Sequence, residues 1–164
     1  MNPIKLVYDK YENDVGFNFG SNNDEIIEND NVINMIDVSS INKNNKVIFY
    51  TYGIKKQHNE KTNKIIQNLD ISFDATLFFA QLNNEDGKHI NVKNFTGMDD
   101  IIQTSIIKHP LFVHIIEKII LNIENSNINT VGIFCNHGKH RSVGFVEILH
   151  KYYYTNSIII HLDL

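Results

Sequence analysis

The sequence predicts an α/β domain built on a mainly parallel sheet with helices on both faces. Two observations carry that expectation. KVIFYTYG, INTVGIFC and SIIIHLDL contain apolar runs without polar alternation, the texture of strands buried on both sides. Helical spacing of apolar residues fills the stretches between them, and strands alternating with helices form parallel sheets covered by those helices.

The elements follow in chain order. Residues 1–45 include YENDVGFNFGSNNDEIIENDN, an acidic and Asn-rich stretch with short apolar runs, and are read as a divergent segment ahead of an α/β domain at 46–164. Within it, NPIKLVYDKY and DVGFNFG read as short strands, and NDEIIENDNVINMIDVSS as a helix opened by Asn23 or Asp24. KVIFYTYG is rich in β-branched and aromatic residues and ends in a turn at Gly53, after which HNEKTNKIIQNL continues as a polar helix. LDISFDA alternates like a further strand. From Asp99 to Asn125, Ile101, Ile102, Ser105 and Ile106, then Phe112, Val113, Ile116, Ile119, Ile120 and Ile123, recur at helical spacing around a break at His109-Pro110. That pattern predicts two helices, with Pro110 opening the second. INTVGIFC then forms a strand, Ser142 to Tyr154 a helix, and SIIIHLDL a closing strand. No repeat or linker interrupts the series.

Composition narrows the class. At 164 residues and 42% hydrophobic content the chain suffices for one domain with an ordinary core. One cysteine excludes an internal disulfide, and no segment approaches the roughly 20 apolar residues of a membrane span. The start, MNPIKLVYDKYEND, turns acidic at once and lacks the pattern of a signal peptide, so the expected location is cytoplasmic. A net charge of -4 argues against broad electrostatic binding to nucleic acid.

The chemistry concentrates where VGIFC meets NHGKHRS and then VGFVEILHKYYY. Cys135, Asn136, His137, Gly138, Lys139, His140, Arg141 and Ser142 lie at the carboxyl end of a strand and the start of a helix. Backbone N–H groups, a helix dipole and a guanidinium fork converge there, which suits a phosphate. Cys135 fits either an inert buried thiol or a thiolate stabilised by the helix start and Arg141. Arg141 fits an anion contact or a surface ion pair. His137 and His140 have no paired Cys or His at ligand spacing, so no metal and no cofactor is expected. Asp99 and Asp100 follow Gly97 and suit a helix cap or an acid role. The Tyr152-Tyr153-Tyr154 run reads as core packing with one exposed ring.

These residues resemble the RapZ C-terminal domain, whose hallmark is a strand ending in Cys-Thr-Gly-Gly-Lys-His-Arg-Ser-Val. The chain reads Cys135-Asn136-His137-Gly138-Lys139-His140-Arg141-Ser142-Val143 at the same place. TYG at 51–53, LDISFDA, FTGMDDIIQ and the closing IHLDL are similar to further family segments in the family's order, so the likeness spans about residues 46–164. The resemblance implies a Rossmann-like domain that binds a phosphorylated small molecule, such as an amino sugar phosphate, through the loop from Cys135 to Ser142. It places Asp70, Thr96, Gly97 and Asp99 around the same cleft. It also implies RNA binding and self-assembly, hence a homo-oligomer. Asn136 and His137 depart from the family's Thr and Gly, and DATLFF departs from the family's Leu-Pro-Asn-Pro-His-Trp, which moves a ligand-contacting histidine's place to a residue near Phe78.

Two other functions fit the residues. Cys135-x-x-Gly138-x-x-Arg141-Ser142 matches the loop of cysteine-dependent phosphatases, with Cys135 as nucleophile, Arg141 on the phosphate oxygens and Asp99 or Asp100 as general acid. Phe134, where those enzymes carry His, and the lack of Trp-Pro-Asp weigh against it. The other is a non-catalytic interaction protein whose acidic first 45 residues do the binding.

Overall fold

The computed structural model describes residues 4–6, 29–76, 78 and 91–164. Among them, five strands form one sheet: β1 (Ile4–Leu6), β2 (Ile48–Gly53), β3 (Ile71–Asp74), β4 (Thr130–Cys135) and β5 (Ile158–His161). All pair in parallel, in the order β1-β3-β4-β2-β5. The α/β expectation is therefore met. The strand expected in DVGFNFG and the helix start at Asn23 or Asp24 lie outside the described residues.

Helix α1 (Asn29–Asn34), α2 (Glu60–Gln67), a 3-10 turn at Val92–Asn94, α3 (Asp100–Ile107), α4 (Phe112–Asn125) and α5 (Arg141–Tyr152) complete the order. Each return to a parallel strand needs a long crossover connection, and helices supply the crossings from β2, β3 and β4. β2 runs through α2 to β3, skipping the slot that β4 later fills. β4 runs through α5 to β5, on the far side of β2. The chain thus reverses direction across the sheet between β4 and β2, and the carboxyl ends of these two strands mark the crevice where open α/β sheets hold ligands.

The two faces are unequal. On one, Phe49, Ile71, Phe73, Val131 and Ile133 share a continuous buried core with α3, α4 and α5 and with Ile33 and Ile36. Helix α4 supplies six buried residues, Phe112, Ile115, Ile116, Ile119, Ile120 and Ile123, a stripe at 3.6-residue period. Each fully buried Ile or Phe stabilises by about 1.5–3 kcal/mol relative to exposure, so this face dominates the fold. On the other, Tyr52, Leu69 and Phe134 form a small cluster with partly buried Ile66 of α2, and α2 itself buries no residue fully.

Two expected boundaries move for local reasons. Pro110 does not open α4. The Phe112 N–H donates to the His109 carbonyl at 2.9 Å and the Leu111 N–H to His109 Nδ1 at 3.2 Å, so the turn closes before the helix begins. α5 stops at Tyr152 rather than Tyr154, because the N–H groups of Tyr153 and Tyr154 both turn back to the Leu149 carbonyl. That exit delivers two rings to the core: Tyr154 packs edge-on against Phe49, its hydroxyl donating to Glu124 at 2.9 Å, and Tyr153 donates to the Ile33 carbonyl.

Candidate anion-binding loop

β4 ends at Cys135 and α5 begins at Arg141, leaving residues 136–140 as the connection. Two bonds fix its first peptides. The Ile54 N–H donates to the Cys135 carbonyl and the Lys55 N–H to the Asn136 carbonyl, both at 2.9 Å. In a trans peptide the N–H points away from the C=O, so the amides of residues 136 and 137 face away from β2. Gly138 then adopts φ +68°, a left-handed conformation that its lack of a Cβ permits. Two consecutive loop amides thus face away from β2, just ahead of the left-handed turn at Gly138.

The amides of His137, Gly138 and Ser142 act on the Cys135 thiol. Burial alone pushes the thiol up, yet the Ser142 hydroxyl and the amides of Ser142, His137 and Gly138 more than offset this and hold it below the ordinary thiol value. Ser142 is fully buried, with its Oγ 3.3 Å from Sγ. Cys135 is itself buried, at 2% exposure. The loop therefore stabilises negative charge at its centre.

The flanking side chains bind the loop to its surroundings. Arg141, the first residue of α5, reaches across to donate from its guanidinium to the Thr76 carbonyl, beyond the end of β3. His140 Nε2 lies 2.9 Å from the Val92 carbonyl. Burial holds its pKa below the ordinary histidine value, against the opposing effect of that carbonyl, with Lys139 and Arg141 adding to the lowering. The lowered pKa favours the neutral ring of His140 over the cation, with Nε2 placed to donate to Val92. Lys139 donates to the Lys93 carbonyl at 3.2 Å. Asn136 is half-buried and His137 exposed.

The Thr96-Gly97-Met98-Asp99 turn abuts the loop. The Gly97 N–H donates to the Lys139 carbonyl at 2.9 Å, and Gly97 packs directly on the first turn of α5. Asp99 precedes α3 without capping it. Its Oδ2 accepts instead from the Thr96 N–H at 2.6 Å and the Thr96 hydroxyl at 3.2 Å.

Asp70 is not in this cleft. It precedes β3 at the amino edge of the sheet, where Oδ2 accepts from the N–H groups of Asn129 and Thr130 and from the Thr130 hydroxyl. Thr130 starts β4 and Cys135 ends it, so at about 3.3 Å per residue the two ends lie roughly 16 Å apart. The aspartate at the carboxyl edge is Asp74, whose Oδ1 accepts from the Thr76 N–H at 2.8 Å. Phe78 is buried between His109 and Phe145.

Sequence reading missed three neighbours: Gly53, His58 and Asp163. Asp163 Oδ2 accepts from the Gly53 N–H at 2.7 Å and lies 2.9 Å from His58 Nε2. The signal was an Asp two residues beyond a strand that ends the same edge as Cys135, but only the β2–β5 pairing connects them. Among the described residues no group of three or more His, Cys, Asp or Glu could hold a metal ion. No described helix is long and apolar enough to cross a membrane.

Fold and loop together define a parallel α/β domain whose β4–α5 loop lies at the reversal point of the sheet. The RapZ C-terminal domain family matches residues 46–163, and the chain belongs to that family. Comparison with curated proteins finds no match.

Proposed function

We propose that this domain binds a small phosphorylated ligand, such as an amino sugar phosphate or a nucleotide, in the loop from Cys135 to Ser142, and that binding serves a regulatory or adapter role. One observation carries the reading: the amides of His137, Gly138 and Ser142 converge on the Cys135 thiol at the start of α5. Donors that stabilise a thiolate also stabilise phosphate oxygens beside it. Arg141 adds a guanidinium at the first helical position, where a fork matches two phosphate oxygens. Membership of the RapZ C-terminal domain family supports the adapter role. RNA contact and self-assembly, implied by resemblance, are secondary to this site.

The test is thermal stabilisation of the wild type and Arg141→Ala against sugar phosphates, nucleotides and inorganic phosphate. A ligand at 100 times its dissociation constant adds about 2.7 kcal/mol to the folded state. A selective shift that Arg141→Ala abolishes is the expected result. No shift with any ligand overturns the reading.

The lowered Cys135 thiol favours a second reading, a cysteine-dependent phosphatase. The thiolate would attack phosphorus, forming an S–P bond as the P–O bond to the leaving group breaks, with the Ser142 hydroxyl then aiding release of the thiolate to water. Asp99 would protonate the leaving oxygen, although its carboxylate is held by Thr96. Turnover of phosphomonoesters by the wild type, lost entirely in Cys135→Ser, separates this reading from binding alone.

A further inference from the structure

We infer that Asp163 is a positioning residue for the anion loop: its carboxylate fixes the carboxyl end of β2, against which the loop backbone at His137 and Gly138 is seated. This rests on the binding role proposed for that loop. β5 pairs with β2 from Ile48 to Thr51, and the pairing runs on past its end, the Leu162 N–H donating to the Thr51 carbonyl at 2.9 Å. The next residue, Asp163, therefore arrives beside Gly53. One of its oxygens takes both the Gly53 N–H, at 2.7 Å, and His58 Nε2, at 2.9 Å. Both side chains are about nine-tenths buried, at 9% and 10% exposure, where a charge-assisted hydrogen bond is strong and an unpaired partner costly.

Gly53 and the loop touch backbone to backbone. A β-carbon on Gly53 would lie 2.5 Å from the His137 carbonyl carbon and 2.8 Å from the Gly138 nitrogen, and one on Gly138 would lie 2.9 Å from the Asp163 β-carbon. Asp163 thus forms one wall of the position in which Gly138 holds its left-handed turn. If that wall loosens, the amides of His137 and Gly138 lose their common aim. His58 acts through Asp163: it braces the carboxylate from the start of α2, where Tyr52 packs edge-on against its ring.

The experiment compares wild type, Asp163→Ala and Asp163→Asn by two readouts. Asn keeps a single carbonyl oxygen able to accept from both Gly53 and His58, whereas Ala keeps none. The first readout is the 13Cβ chemical shift of the lone cysteine followed against pH, which reports loop alignment with no ligand present. The second is the dissociation constant for inorganic phosphate. Asp163→Ala is expected to raise the thiol's titration point and weaken phosphate binding about tenfold, the scale of one lost buried hydrogen bond, while Asp163→Asn, which keeps the accepting oxygen, stays close to wild type in both. An unchanged thiol titration in Asp163→Ala overturns the positioning role, whatever phosphate does. Failure of the wild type to bind phosphate, with the thiol shift present, overturns the binding reading and leaves the positioning role standing. Should Asp163→Ala not fold, His58→Ala carries the same comparison, and an unchanged thiol in it overturns the inference.

Discussion

Gly97 lies against Gly144 with no room for a side chain between them: a β-carbon on Gly97 would overlap the Gly144 nitrogen and the His140 carbonyl oxygen and come within 2.6 Å of the Val143 β-carbon. Those atoms are backbone or are fixed by helix α5, so they cannot yield cheaply. Gly97→Ala should destabilise the protein by about 1–3 kcal/mol, the range for overpacking, and should disturb the first turn of α5. Urea denaturation measures the first effect, and the phosphate dissociation constant the second.

Ser142→Ala should raise the titration point of Cys135. The hydroxyl and amide of Ser142 are the largest influences opposing burial, and Ala keeps only the amide. Because the folded thiol releases its proton below the ordinary value of about 8.5, the thiolate stabilises the folded state fully above that value. The contribution is lost as pH falls through the lower folded value. Melting temperature against pH for wild type and Cys135→Ala should diverge in that window, and Ser142→Ala should narrow the gap.

Asp70→Asn should weaken the fold and spare the loop. The Asp70 carboxyl is pushed up by burial, but the amide and hydroxyl of Thr130 and the amide of Asn129 outweigh this and leave it below the ordinary carboxylate value. Its stabilisation is therefore complete above the unfolded value of about 3.9 and disappears as pH falls through the lower folded value. Acid unfolding of wild type should show a loss in that range that the variant lacks, with phosphate affinity equal in the two at neutral pH. A weakened phosphate affinity in Asp70→Asn would return Asp70 to the cleft.

Thr51→Val should cost about 1–2 kcal/mol, the penalty for stranding a hydrogen-bond partner. Thr51 is fully buried, its hydroxyl lies 2.9 Å from His161 Nδ1, and His161 Nε2 lies 3.1 Å from Glu147 of α5. The variant keeps the shape and removes the first bond of a chain that ties β2, β5 and α5 together. Urea unfolding of Thr51→Val, Glu147→Gln and the double variant reads the coupling.

The strands and the loop were legible because their signals are local. An apolar run ending at Cys135, a glycine three residues on and an amphipathic helix after it fix β4, the turn and α5 without knowledge of any partner. Asp70 was misjudged because an aspartate at either end of a strand looks the same in sequence, and only register with Thr130 reveals the edge on which it sits. Asp163 and His58 were invisible for a related reason. Their meeting depends on β5 lying beside β2, a neighbour relation that residue patterns do not encode. The early stop of α5 turned on two amides seeking one carbonyl, a choice made by the rings of Tyr153 and Tyr154 finding the core.

The strand order has a consequence for how the chain assembles. β2 and β3 are made early, yet neither hydrogen-bonds to the other; both pair with β4, and Ile48 waits for Thr130, far along the chain. Contacts of such separation are entropically late. During synthesis the half-made sheet has a gap down its middle, and the strand that fills it is the one carrying Cys135 and leading directly into the anion loop. The loop after Cys135 therefore takes its place only once β4 has filled the gap between β3 and β2.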